Sequence, residues 1–425
     1  MTSRALWIPL LWFVIMASRP VSSWFHMGVP LESPDDYLEG NPIERNISLA
    51  LMVGGLLILL GRRFNWPLIF RRNVWILLLL LYSLISCLWS DYQFVAFKRA
   101  IKEVGNVIMV LVILTEIDCV EAIRTIFGRA ACVLIPMSIA LIKYFPNLGR
   151  SYSQGGVPQW CGVTTSKNQL GSLCMLLGLF FIWDMVAIWR ERRPDRQIAI
   201  FVNLVFMGMI FWLLITVDSA TSLGTLIVGV LVLAGVRFSF IKNNLGKLLI
   251  LLCVVLSLVV IFGGVSSVIE TTAEGFGRDP TLTGRLEIWK EVLDVAGDPL
   301  VGTGFGSFWL GDRAEKFWNK YRWHPNQAHN GYLETYINLG WVGVFFLSAV
   351  IIAAFGNARN ALINDFHYGR FRIALLIMTL VYNITEAAFK GLCLMWFVFL
   401  LVALDIPVGS DWGRRIEGSE TLPHA

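Results

Sequence analysis

Charged residues are scarce in this chain of 425 residues: they make up 15% of it, whereas hydrophobic residues make up 56%. An average soluble domain is about one quarter charged. This scarcity argues against a soluble enzyme and predicts an all-α, polytopic membrane protein. The basic residues form no tract apart from the apolar segments, so the net charge of +5 reflects loop placement, and no nucleic-acid partner is expected.

Ligand-type cysteine patterns are also missing. The seven cysteines lie mostly inside or at the ends of apolar runs, where a thiol packs as a small hydrophobic group. No CxxC or Cys/His spacing occurs, so the sequence predicts neither a disulfide framework nor a metal site, and no cofactor. Ionisable residues are rare near the centres of the apolar runs, which disfavours a transporter with a site at the membrane midplane.

Apolar stretches that can cross a membrane as a helix occur about twelve times, since a crossing takes roughly twenty residues. The first also fits a signal peptide, but no clear cleavage site follows it, so a retained span is expected. The predicted spans are 5–19, 46–60, 74–89, 103–117, 125–145, 168–189, 198–217, 221–236, 246–263, 331–355, 372–387 and 390–405.

Lysine and arginine concentrate in alternate short loops, and such loops face the cytoplasm. This rule predicts that both termini are cytoplasmic and that segment 264–330 is a large periplasmic loop. The chain then divides into spans one to nine in 1–263, a loop with catalytic elements in 264–330, and three spans with a cytoplasmic tail in 331–425. The basic residues are Arg4, Arg62, Arg63, Arg71, Arg72, Arg124, Arg129, Arg190, Arg192, Arg193, Arg196, Arg237, Lys242, Lys247, Arg359, Arg370, Arg372, Arg414 and Arg415.

The large loop contains one clear helical period, with Thr283 as its expected N-cap. We expect an amphipathic helix that lies on the outer membrane surface. Its apolar residues are Leu286, Trp289, Leu293 and Ala296. A glycine-rich run and a cluster of aromatic residues follow, and that cluster suits a belt at headgroup level or a platform for sugars. The aromatic residues are Trp309, Phe317, Trp318, Tyr321 and Trp323.

His329 and Asn330 stand where the loop meets the next apolar helix. A histidine side chain is largely neutral above pH 7 and can accept a proton. Glycosyl and acyl transfer to a hydroxyl need such a base within hydrogen-bond reach. Asn330 is a candidate to orient the imidazole or the acceptor. The alternative is a histidine that only marks the membrane interface.

Three basic residues are candidates for binding a phosphate. Arg285 lies in the first turn of the loop helix, where an arginine and free backbone N–H groups favour a diphosphate, unless it pairs with Asp279 or Glu287. Lys167 lies at the outer end of span 168–189, where it either binds phosphate or marks the interface. Arg150 precedes it in the same loop, with weaker support.

Two further groups are interpreted as structural. Lys98, Arg99 and Lys102 form a basic cluster on the outer face, which fits a solvated helix end better than a substrate site. Glu386 and Lys390 flank an outer hairpin and are expected to face each other.

The chain resembles the O-antigen ligase and polymerase superfamily in one motif above all. The motif is His329-Asn330, nine residues, then Gly340-x-x-Gly343, at the start of the span that follows the large loop. Other stretches resemble the superfamily's loop pattern or its exopolysaccharide polymerase branch. These are Thr283-Gly284-Arg285 with Trp289, Pro299 to Gly304, Ser166 to Gly171, and Glu39 to Arg45.

The resemblance implies a metal-independent glycosyltransferase of the bacterial inner membrane, which uses a glycan carried on undecaprenyl diphosphate. It implies that His329 activates the acceptor hydroxyl and that Arg285 and Lys167 hold the diphosphate. Many members carry arginine at the place of Lys167, and a lysine binds phosphate as a point charge instead of bidentately. The implied reaction is a direct, inverting displacement, with a flippase and a chain-length regulator as partners.

Several products remain open within the superfamily. A polymerase passes the growing chain to a new lipid-linked repeat unit, a ligase passes it to lipid A core, and a third type passes it to a protein hydroxyl. The Ser166 to Gly171 stretch favours a polymerase. The hypothesis from another class is a transporter of lipid-linked glycan or of small anions, which would use the same basic residues only to bind.

Overall fold

A computed structural model describes residues 2–25, 40–152, 156–190, 196–238, 281–321 and 324–406, apart from the side chains of 281–286. Most of the described residues are helical, and strands are almost absent among them, which confirms the all-α prediction. One two-stranded antiparallel sheet joins β1 (Arg150–Tyr152) to β2 (Pro158–Trp160).

The α-helices are numbered here in chain order. Those before the sheet are α1 (Trp7–Met16), α2 (Val21–Trp24), α3 (Pro42–Gly61), α4 (Trp66–Arg72), α5 (Val74–Ile85), α6 (Gln93–Leu114), α7 (Cys119–Tyr144) and α8 (Pro146–Gly149). Those after it are α9 (Lys167–Arg190), α10 (Arg196–Val217), α11 (Ala220–Gly235), α12 (Thr281–Asp294), α13 (Gly311–Lys320), α14 (Gly331–Asn364), α15 (Phe366–Thr385) and α16 (Leu394–Ala403). Two 3₁₀ helices are Arg4–Leu6 and Ser86–Trp89.

Each predicted span that falls within the described residues coincides with a helix, and span 246–263 lies outside them. Five described helices are long and apolar enough to cross a membrane, or six if Trp66–Arg72 and Val74–Trp89, bent by 82°, form one span. Helices α6 and α15 are long enough to cross a membrane, but their charged side chains make them less apolar than those five. The chain is therefore a multi-pass membrane protein, and the count of twelve stays a prediction.

Helix α9 is the buried centre of the helical bundle. Of its most apolar stretch, 78% is buried inside the protein, against 11% for α3. Its Trp183 is fully buried and stacks on Phe371 of α15, with ring centroids 4.3 Å apart. The first turn of α9 contacts α15 and the residue that follows it, since Asn168 donates to Glu386 (2.7 Å) and its carbonyl accepts from the Tyr382 hydroxyl (3.4 Å).

A second, smaller core forms within the large loop and against the start of α14. It confirms a helix at α12 but corrects its buried face. Ile288 and Val292 are buried, whereas Leu293 is 51% exposed. The prediction assumed that α12 lies on a membrane surface. The helix instead packs against a protein core, and that core determines which face is buried. The core residues are Ile288, Val292, Phe308, Trp309, Phe317, Ala328 and Ile337.

The aromatic cluster after α12 is mainly part of this core. Trp309 and Phe317 are buried in it, and Trp318 and Tyr321 pack on its edge. The belt or sugar platform predicted from the sequence is thus wrong for Phe317, although Trp309 also lines a cavity. Trp323 lies outside the described residues.

Candidate active site

The imidazole of His329 contacts a buried carboxylate. Its Nδ1 lies 3.2 Å from Oε2 of Glu386, just after α15, and the two side chains are 20% and 7% exposed. The other oxygen of Glu386 accepts a hydrogen bond of 2.7 Å from Nδ2 of Asn168. The Nδ1 atom also lies 3.3 Å from the amide Nε2 of Gln327. The charged carboxylate is the stronger partner of the two, so it favours the tautomer that carries its proton on Nδ1. The other ring nitrogen, Nε2, is then the one able to accept a proton.

Asn330 is the N-cap of α14. Its side-chain oxygen accepts hydrogen bonds from the backbone N–H groups of Tyr332 (3.0 Å) and Leu333 (3.1 Å). Such a cap satisfies N–H groups that the first helical turn leaves without partners. The side-chain oxygen of Asn330 is thereby engaged in fixing the backbone next to His329, which itself has a positive φ of 51°.

Both backbone polar groups of Ala328, the residue before the histidine, are hydrogen-bonded. The backbone N–H of Ala328 donates to Oε2 of Glu334 (2.9 Å), and its carbonyl accepts from the indole N–H of Trp289 (2.6 Å). Trp289 belongs to α12 and Glu334 to α14. The two motif stretches that carry the family resemblance therefore meet at Ala328, and together they position His329.

Helix α14 is broken at Gly340, whose φ of 62° and ψ of −166° are non-helical. In an unbroken helix the N–H groups of residues 341 and 342 would donate to the carbonyls of 337 and 338. Here the N–H of Trp341 donates to the Pro299 carbonyl (2.9 Å), and that of Val342 to the Leu300 carbonyl (3.1 Å). The break thus transfers two helical hydrogen bonds to the loop.

The carbonyls released by the break bind the same loop. The N–H of Thr303 donates to the Ile337 carbonyl (3.1 Å), and that of Gly304 to the Asn338 carbonyl (2.9 Å). A Cβ at Gly340 would lie 2.2 Å from the backbone carbonyl of Leu300, so only glycine fits there. The Pro299 to Gly304 stretch and the Gly340-x-x-Gly343 element are therefore one structural unit. At Gly343 a Cβ would lie 2.2 Å from Cβ of Leu339.

The three predicted phosphate-binding residues stand differently. Lys167 is the first residue of α9 and directly precedes Asn168, the partner of Glu386. Arg285 lies on α12 one helical turn before Trp289, and its side chain is outside the described part. Because α12 begins at Thr281, the predicted N-cap at Thr283 is wrong, and Arg285 lies just beyond the first turn. Arg150 donates to the Ile142 carbonyl (3.1 Å) and lies over the Trp160 ring (4.5 Å), and its role in phosphate binding stays a prediction.

Glu386 is the contact that sequence reasoning missed. The expected pairing with Lys390 is replaced as its main contact by His329 and Asn168, while Nζ of Lys390 donates to Oε1 of Gln327 (2.5 Å). Gln327 in turn lies 3.3 Å from Nδ1 of His329 through its Nε2. The only sequence signal was a carboxylate at the end of an apolar run, on the same side as His329.

Two comparisons with known proteins found similar sequences. A family model described as O-antigen ligase matches residues 204–348, which include His329 and the glycine break. The chain is also similar to the exopolysaccharide production protein ExoQ of Rhizobium meliloti (strain 1021). The two are 26% identical over 310 residues, which cover 70% of this chain and 67% of that protein.

These matches confirm the resemblance to the O-antigen ligase superfamily and to its exopolysaccharide branch. Together with the apolar helices, they show a membrane protein that is similar to those of the O-antigen ligase or polymerase type.

We predict that Gly340→Ala lowers the thermal stability of the purified protein. Positive φ costs an L-residue at least about 1–2 kcal/mol, and here the new Cβ also meets the Leu300 backbone. The control is Gly356→Ala in the same helix, where a Cβ meets nothing within 4 Å and helix propensity improves. Equal melting temperatures for the two variants would contradict the role given to the break.

Proposed function

We propose that this chain is a glycosyltransferase that polymerises exopolysaccharide or O-antigen repeat units from undecaprenyl-diphosphate-linked donors. The observation that carries the proposal is the contact between His329 Nδ1 and the buried carboxylate of Glu386. A carboxylate there orients the ring and stabilises the imidazolium that forms when Nε2 takes a proton. This is the equipment of a general base, which simple binding of an anion does not need.

In the proposed reaction the acceptor hydroxyl oxygen attacks the anomeric carbon of the donor glycan. Its proton moves to Nε2 of His329 as the new C–O bond forms. The bond between the anomeric carbon and the lipid diphosphate breaks, and the diphosphate leaves with the electron pair. A single displacement inverts the anomeric configuration. Arg285 and Lys167 offset the negative charge on the leaving group, and the reaction is proposed to need no metal.

The membrane arrangement is part of the proposal. We infer twelve spans, with both termini in the cytoplasm and the site on the periplasmic side of the bacterial inner membrane. The distribution of lysine and arginine in the short loops supports this orientation. We also propose the division into 1–263, 264–330 and 331–425, and the separate small core that loop residues form with Ile337 supports it.

A ligase is the second candidate, because the matching family model carries that description. The similarity to an exopolysaccharide production protein spans more of the chain and favours the polymerase. Lipid analysis of a deletion strain separates the two. We expect long polymer on the lipid carrier to disappear. Polymer that accumulates on the carrier without being attached further would instead establish a ligase.

The central prediction is that His329→Ala abolishes glycan transfer and leaves donor binding intact. Loss of a general base costs about 10²- to 10⁴-fold in rate. The test is reconstitution of the purified protein with lipid-linked repeat units in the presence of a chelator, which the wild type is expected to tolerate. His324→Ala is the control, since His324 stacks on Trp318 in the same loop (4.5 Å) and its loss should leave the rate near that of the wild type.

An unchanged polymer yield in His329→Ala would contradict the proposal and favour the transporter hypothesis. Inactivity of both histidine variants with loss of donor binding would instead point to a damaged loop.

A second prediction concerns the partner of the histidine: Glu386→Gln should slow transfer while donor binding persists. If Asn168 keeps donating to residue 386, the new amide NH₂ faces Nδ1 of His329 and places the ring proton on Nε2. The wrong tautomer costs up to about 10⁴-fold in the Ser-His-Asp triad, which is the precedent for the expected direction.

The matched control for that variant is Glu291→Gln. Glu291 pairs with Lys320 and Tyr321 on the surface of the loop, and Lys320 holds the pKa of its carboxyl below the ordinary value. We expect transfer rates near those of the wild type. Equal rates for the Glu386 and Glu291 variants would remove Glu386 from the mechanism.

A further inference from the structure

A cavity of about 320 Å³ lies beside the candidate active site. This volume is within the range of small-ligand pockets, about 300–1,000 Å³. Its basic lining residues are Arg99 and Lys102 of α6 and Lys390 of the loop before α16. Phe305, Trp309 and Phe389 add aromatic surface to the same cavity. Two members of the cluster first interpreted as a solvated helix end therefore line a cavity that is partly open to solvent.

The cavity is positively charged on balance. Of its lining residues, three are cationic and one, Glu334, is acidic, which gives a formal charge of +2. The oxygens of Glu334 already accept from the Ala328 N–H, the Trp309 indole and the Asn338 amide. The buried carboxylate of Glu103 lies close to one wall, since a Cβ at Gly391 would be 2.8 Å from its Oε1. Counting that carboxylate as ionised still leaves a net positive charge.

Two of the three basic residues, Arg99 and Lys390, make hydrogen bonds to the loop that precedes α14. Arg99 donates a hydrogen bond to the Gly306 carbonyl, which ties it to the glycine-rich loop. Nζ of Lys390 donates to Gln327 (2.5 Å), and Gln327 lies 3.3 Å from the imidazole of His329. An ammonium has three donors, and Gln327 takes one of them. Gln327 thus links Lys390, at the cavity, to His329. On the other side, Lys167 precedes Asn168, which contacts Glu386, the partner of His329.

We infer that this cavity binds the diphosphate of a second lipid-linked substrate. The inference rests on the proposed polymerase function. Joining two lipid-linked glycans requires the protein to hold two lipid diphosphates at once. Only the donor's diphosphate is bonded to the reacting carbon, whereas the acceptor's lies at the other end of its glycan from the attacking hydroxyl. The two anions therefore need separate cationic partners. Arg285 and Lys167 serve the donor, and Arg99, Lys102 and Lys390 serve the acceptor. Transfer to lipid A core would bring only one lipid diphosphate to the site.

The test counts molecules of undecaprenyl diphosphate, without sugar, bound to the full chain in nanodiscs by native mass spectrometry. We expect two per chain for the wild type and one for the double variant Lys102→Gln/Lys390→Gln. Each lost charged hydrogen bond should weaken the second site about tenfold or more. Lys98→Gln is the matched control, since Lys98 is on the same helix but lies over the Phe94 ring, 5.0 Å away. It should still bind two.

A separate site also predicts the behaviour of Arg285→Ala: it should bind one molecule, and its combination with the double variant should bind none. A single bound molecule in the wild type would overturn the inference, whether or not the double variant loses it. Two molecules retained by the double variant would overturn it as well. The proposed function itself is judged by glycan transfer in His329→Ala, so its failure is distinguishable from a failed count.

Discussion

The arrangement of this site depends on one hydrogen bond, between the imidazole of His329 and the buried carboxylate of Glu386, residues 57 positions apart in the chain. A carboxylate in so dry a place is costly unless its oxygens are hydrogen-bonded. Asn168 and His329 together satisfy it, and in doing so they join the start of α9, the start of α14 and the end of α15. The packing of these helices in the bundle therefore also orients the imidazole of His329.

The rest of the loop serves to hold that histidine in place. The N-cap by Asn330 fixes the backbone after it, and the bonds from Trp289 and Glu334 to Ala328 fix the backbone before it. The break at Gly340 lets the glycine-rich loop replace helical hydrogen bonds, so that the loop cannot shift without unwinding α14. Catalytic geometry in the proposed reaction is thus supported by backbone contacts, which tolerate few substitutions at Gly340.

The sequence predicted the helices well because a long apolar run is a local property, and all predicted spans in the described residues are helical. It also located His329 and the glycine element through a fixed spacing. It failed where the answer lies in distant packing. The partner of Glu386, the buried face of α12 and the cavity lined by Arg99 and Lys102 each depend on residues brought together only by the fold. Asn330 was assigned an orienting role, and its visible contacts are those of a helix cap.

The most direct test of the central claim is the tautomer of His329 in the resting protein. The chain has five histidines, so the difference between nitrogen-15 NMR spectra of the labelled wild type and the His329→Gln variant isolates this ring. We expect the ring proton on Nδ1 and an unprotonated Nε2. A ring that carries its proton on Nε2 would contradict it, because the nitrogen assigned to remove the acceptor proton would already be occupied.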